Sequence, residues 1–81
     1  MENIVKLSSL KEKEKSVIFL VEEINQKMNR RLIELGFVKN EKVEVIKNLK
    51  RGKNMLIAIR GYVLSLDYFI ASKIMVYKKG E

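Results

Sequence analysis

With neither cysteine nor histidine in its 81 residues, the chemistry open to this sequence rests on serine, lysine and carboxylate side chains. Nucleophilic catalysis requires one of the former activated by a base within reach. No Gly-x-Ser-x-Gly turn is present to display a serine in that way. A phosphate-cradling loop would read Gly-x-x-x-x-Gly-Lys-Ser/Thr, but Gly52-Lys53 is followed by Asn54, and Lys47 stands where the first glycine is needed. The sequence is therefore not expected to hydrolyse nucleotides. A transition-metal ion would call for imidazole, thiolate or clustered carboxylates, and only scattered acids are offered: Glu22, Glu23, Glu34, Glu41 and Glu44. Glu22 and Glu23 point to opposite faces if extended, which favours a solvated pair. The expectation is of a domain with no catalytic residue, no metal ligands and no cofactor, acting through its surface.

The elements that must shape that surface are readable from the pattern. The length supports one hydrophobic core and one domain, 1–81, and the 47% apolar content is ordinary for a globular chain. The longest apolar run, Val17 to Val21, is far short of a membrane span, and the N-terminus lacks the order of a signal peptide, so a cytoplasmic, soluble protein is predicted. Proline is absent and no linker-like segment or repeat interrupts the chain. A short strand is expected around Ile4 to Leu7, and an exposed turn at Lys11 to Lys15. The β-branched and aromatic run Ser16 to Val21 reads as a strand buried on both faces.

From Asn25 the period changes. Ile24, Met28, Leu32 and Leu35 fall along one side of a helix, Asn25 can cap its start, and Gly36 supplies the left-handed conformation that ends it. A helix over 25–35 follows. Ile33 lies about 140° around from Met28 and so outside that stripe. Val43 and Val45 then alternate with charged residues in a strand running to about Leu49. Met55, Ile57 and Ile59 mark its hairpin partner across a tip at Lys50 to Asn54. Gly61 marks a further tight turn before Tyr62, Leu64 and Leu66. Asp67 is placed to cap a short helical turn over 67–73, and Ile74 with Val76 forms a last strand. Five to six short antiparallel strands with one mid-chain helix predict a mainly β fold, a small SH3-like β-barrel.

Seventeen basic against ten acidic residues give a net charge of +7. A surface of mixed charge serves solubility, yet such an excess also attracts nucleic acid, an anionic membrane leaflet or an acidic partner. The segment from Lys39 to Lys53 holds six basic and two acidic residues, a net +4.

Certain residues resemble a known family, that of ferrous iron transport protein A (FeoA). Leu7-Ser8-Ser9-Leu10-Lys11 is similar to the family's opening Leu-x-x-Leu-Lys. Arg31-Leu32-Ile33-Glu34-Leu35-Gly36-Phe37 is similar to its Arg-Leu-x-x-Leu-Gly-Leu, with Val43-Glu44-Val45 after a short turn. Gly61, Leu64, Leu66, Ala71, Ile74 and Val76 follow its closing pattern. The sequence departs from the family at Lys13 and Asn40, where glycine is usual, in a tip without prolines, and at Asp67, where arginine is frequent. Leu32, Leu35, Gly36, Gly61 and Ala71 are expected to be structural.

The resemblance implies an SH3-like fold and a cytosolic accessory protein of a ferrous iron uptake system. Its implied partner is the membrane transporter FeoB, whose cytoplasmic part carries a GTPase domain. For the contact surface the expected residues are Arg30, Arg31, Ile33 and Phe37 on and after the helix, and Lys50 with Arg51 at the tip. Ile33 is either an exposed anchor or packed under a neighbouring loop. The tip would meet an acidic protein surface or the inner leaflet of the membrane. Two alternatives stand beside this reading. One is a basic barrel that binds nucleic acid; against it, Tyr62, Tyr68, Phe69 and Tyr77 are expected to lie away from the basic tip, leaving no stacking platform. The other is a modulator related to the SH3-like domain of DtxR-type metal regulators, although no second helix is available for a DNA-reading helix-turn-helix.

Overall fold

The computed structural model of the chain describes residues 3–78. Six strands, β1 (Ile4–Lys6), β2 (Lys15–Val21), β3 (Lys42–Leu49), β4 (Asn54–Ile59), β5 (Tyr62–Asp67) and β6 (Ile74–Lys78), pair in the order β1-β6-β2-β3-β4-β5. Every pairing is antiparallel. Helix α1 (Gln26–Leu35) joins β2 to β3, and the single turn α2 (Tyr68–Ala71) joins β5 to β6. The strands alternate as their sequences do: Val43, Val45, Met55, Ile57 and Ile59 are buried on the inner face while their neighbours are half-buried or exposed. Ala71, the one fully buried residue of α2, closes over that face.

Three expectations on element bounds, strand burial and aromatic placement change, and a fourth, on Phe37, is corrected with the site. The first strand ends at Lys6, and Leu7 begins a 3-10 turn (Leu7–Ser9) that drives Leu7 and Leu10 into the core. The second strand is not buried on both faces. Ser16 and Ile18 point inward, but a bulge after Ile18 shifts the register and Leu20 is left 41% exposed. A single curled sheet buries its concave side, and on the other face of β2 Val17 and Phe19 are only half-buried. The third concerns Tyr68 and Phe69 and is taken up with the site.

The connections explain two departures from the family pattern. Lys13 (φ 72°) and Asn40 (φ 75°) both adopt the left-handed conformation for which glycine is suited. Each bridges elements: the Lys13 amide donates to the Val45 carbonyl at 2.6 Å and the Asn40 amide to that of Ile18 at 2.8 Å. Between β4 and β5, Arg60 (φ 51°) and Gly61 (φ 85°) make the two-residue turn with positive φ at both positions that matches strand twist. It fixes the pairing from Ile59↔Tyr62 to Asn54↔Asp67.

Candidate functional site

Helix α1 is held at both ends by its own sequence. Asn25 Oδ1 accepts from the Met28 amide at 2.8 Å, and Asn29 Oδ1 reaches back to the Ile24 amide at 3.0 Å. At the other end Gly36 (φ 107°) turns the chain so that its amide donates to Ile33 and the Phe37 amide to the Leu32 carbonyl at 2.9 Å. This paired closure brings Phe37 against the last inward turn of the helix, and both Leu32 and Phe37 are 1% exposed. Phe37 is thus a core residue, which corrects its expected place on the contact surface.

A further layer locks this corner. Arg60 lies across Gly36 so closely that a Cβ there would stand 2.8 Å from its Cδ and Nε. Its Nε is paired with Glu41 Oε1 at 3.1 Å, and the Tyr62 hydroxyl donates to the Leu35 carbonyl. On this scaffold Ile33 stands 59% exposed, with Arg30 and Arg31 also in solvent. Ile33 borders an open cleft of about 380 Å³ shared with Val21, Glu23, Asn29, Leu32 and Phe37, room for a side chain or two of a partner. The stripe of Ile24, Met28 and Leu35 is half-buried against the core.

Lys50 and Arg51 sit elsewhere. They occupy the exposed tip between β3 and β4, with Lys53 (φ 59°) closing the turn onto the Lys50 carbonyl. The tip and the Arg60-Gly61 turn are at opposite ends of β4, about 20 Å apart along a strand of that length. The helix residues and the tip residues, expected as two candidate surfaces, lie toward opposite ends of β4.

The aromatic residues are not all remote from the basic tip, which is the third correction. The Tyr68 amide donates to the Lys53 carbonyl at 2.9 Å, and its hydroxyl donates to Asn48 Oδ1. Phe69, the next residue, is 59% exposed, and the ammonium of Lys73 lies 5.4 Å from its ring centre. Tyr77 by contrast packs edge-on against Phe19 on the outer sheet face. The register shows how the adjacency arises: counting back from Ile59↔Tyr62 to Asn54↔Asp67 brings Tyr68 opposite Lys53. A signal was present in the two-residue spacing of Arg60-Gly61.

The acids are dispersed. Glu41 pairs with Arg60, Glu22 faces Lys73 at 4.0 Å, and among the described residues no three acidic side chains come together. Glu14 accepts from the Lys11 amide at 2.7 Å and pairs with Lys78 at 3.0 Å; in that order these hold its carboxyl below the usual glutamate range.

Fold and sequence together define a small SH3-like β-barrel domain. The chain belongs to the FeoA domain family, whose pattern matches residues 5–78, and that family is linked to ferrous iron transport. It is similar to FeoA of Stenotrophomonas maltophilia, an SH3 domain protein complexed with zinc, at 29% identity over 89% of this chain and 88% of that one, with a TM-score of 0.77. FeoA of Chlorobium tepidum is 26% identical over 94% of this chain and 71% of its own, with a TM-score of 0.85. A manganese-dependent transcriptional repressor superposes with a TM-score of 0.88 at 14% identity; the chain spans 44% of its length, and the likeness is one of fold. No curated protein matches the chain by sequence. Among the described residues no helix is long and apolar enough to cross a membrane.

Proposed function

We propose that this chain is a cytosolic accessory protein of a ferrous iron uptake system, acting by docking its helix corner on the cytoplasmic GTPase domain of a FeoB-type transporter. The observation that carries the reading is Ile33: a β-branched aliphatic side chain 59% exposed on a locked helix, beside a cleft and flanked by the exposed Arg30 one turn before it, with Arg31 near the edge of the same helix. An exposed apolar anchor with an arginine beside it fits the way interfaces concentrate their energy. Family membership supplies the iron uptake system, and nothing in the arrangement supplies chemistry of its own. Such a domain changes its partner only by binding one state of it better than another. A differential of about 1.4 kcal/mol already shifts an equilibrium tenfold.

The test is capture of the transporter's soluble GTPase domain by the purified chain. Ile33→Asp places a charge at the centre of the proposed contact and is expected to weaken capture by about thirtyfold, on the order of 2 kcal/mol, with the fold intact. Capture that is unchanged by Ile33→Asp rules out the helix corner. Absence of any capture, across nucleotide states of the partner, rules out the reading.

A further inference from the structure

We infer that the hairpin tip and the exposed ring of α2 form a second surface that rests on an anionic lipid leaflet, independent of the helix corner. Three cations, Lys50, Arg51 and Lys53, project within four consecutive positions, and among the described residues none of them takes part in an ion pair. Leu49, at the root of the tip, is 42% exposed, and Phe69 is 59% exposed. Hydrogen bonds from Tyr68 to Lys53 and Asn48 tie α2 to the hairpin, so cations and apolar side chains belong to one unit. Asp67, which caps α2 by accepting from the Phe69 amide at 2.7 Å, is an exposed acid on the same unit and offsets one of these three cations.

Charge complementarity selects the occupant class, an anionic surface, and the apolar side chains narrow it. A bilayer interface accepts lysine ammonium groups at headgroup depth and leucine and phenylalanine just below, and it needs no pocket. Two clefts among the described residues are lined by neither Leu49, the tip nor Phe69. Single-stranded nucleic acid is disfavoured by the ring itself. One face of Phe69 is taken by the Lys73 ammonium, Tyr68 is half-buried, and no succession of free rings exists on which bases could stack.

The experiment is sedimentation of the full chain with vesicles made of equal parts phosphatidylserine and phosphatidylcholine, and with vesicles of phosphatidylcholine alone. Binding to the first and not the second is expected, weakening as salt is raised. Each basic residue removed from the tip should weaken it about fivefold, so Lys50→Glu with Arg51→Glu abolishes it in practice. Phe69→Ser should weaken it at a salt concentration where the charges are screened, a readout that charge alone would not move. The inference is overturned if the chain ignores anionic vesicles, if both variants sediment like the parent, or if a short single-stranded oligonucleotide binds more tightly and displaces the vesicles. It is also overturned if the tip variants lose the transporter domain while keeping the vesicles. Ile33→Asp must bind vesicles normally, which separates failure here from failure of the helix-corner reading.

Discussion

The helix corner and the hairpin tip are built on contrasting terms. At the corner, position is enforced: a helix capped at both ends, a glycine pressed under Arg60, and Leu32 locked to Phe37 leave Ile33 no choice but to face outward. At the tip, charge is displayed rather than positioned, on a four-residue turn whose cations make no ion pairs among the described residues. A rigid apolar anchor suits a partner with a complementary shape, whereas unpaired cations beside exposed leucine and phenylalanine suit a surface without one. Under the two proposals above, one small barrel carries two kinds of recognition toward opposite ends of β4.

The largest expected effect tests whether the corner is scaffold before it is contact. Phe37→Ala should destabilise the domain by about 3–5 kcal/mol in urea denaturation, because it removes a buried ring from a core of few large side chains. A contact residue would instead leave stability untouched and reduce capture alone. In a domain of this size that loss approaches the whole stability, so Phe37→Leu is the companion variant, expected to fold with a smaller loss.

Gly36→Ala comes next, at about 1–2 kcal/mol from backbone strain alone. Its Cβ also meets Arg60, so the Arg60–Glu41 pair should be lost with it. Gly61→Ala provides the contrast: its φ is 85°, yet nothing lies within 4 Å of the added carbon. The difference between the two variants measures the clash at the corner separately from the strain. Equal losses would show that Arg60 yields freely and that the corner is less rigid than its contacts suggest.

Which of these features were legible in the sequence follows from how local their causes are. Helix α1 and the β3–β4 and β4–β5 hairpins answer to periods of 3.6 and two and to nearby Asn and Gly residues, and they stand where the pattern put them. The exposure of Ile33 follows from the same wheel. Phe37 was misread because it lies past the helix, where periodicity no longer speaks. Its five-residue spacing from Leu32 across a glycine is nonetheless the signature of the closure that buries it. Leu20 escaped because a bulge changes which way a strand residue points without leaving a mark in composition. The meeting of α2 with the tip is long-range and emerges only when register is counted through a turn of known length.

Lys13→Gly turns to the brace against the middle of β3 and should raise stability by up to about 1 kcal/mol. A lysine at φ 72° holds the segment before β2 against β3, and glycine relieves the strain while keeping the hydrogen bond to Val45. The sign is opposite to that of Gly36→Ala, although both exchange glycine with a side chain at positive φ. Measured together by urea denaturation, the pair separates conformational strain from loss of contacts.

The smallest effect distinguishes the two regions by the forces that support them. Glu14 belongs to the brace beneath the hairpin: its carbonyl accepts from Val45, and its carboxylate is held by the Lys11 amide and by Lys78. These partners depress its pKa in the folded state, so the stability they contribute is fully present above the usual glutamate value of 4.5 and is lost as pH falls through the lower folded value. The carboxylate remains partly in solvent, which limits the contribution to under about 1 kcal/mol. Acid should therefore speed amide hydrogen exchange at Val45, after correction for intrinsic rates, while leaving Phe37 protected, because the Phe37 amide is held by the Leu32 carbonyl and its ring by apolar packing, with the Glu41–Arg60 pair of the corner partly in solvent outside that core. In Glu14→Gln that contrast should be present already at neutral pH and change little with acid. If acid instead loosens Phe37 and Val45 in parallel, the domain opens as one cooperative unit and the two regions differ in what they display but not in how they are held.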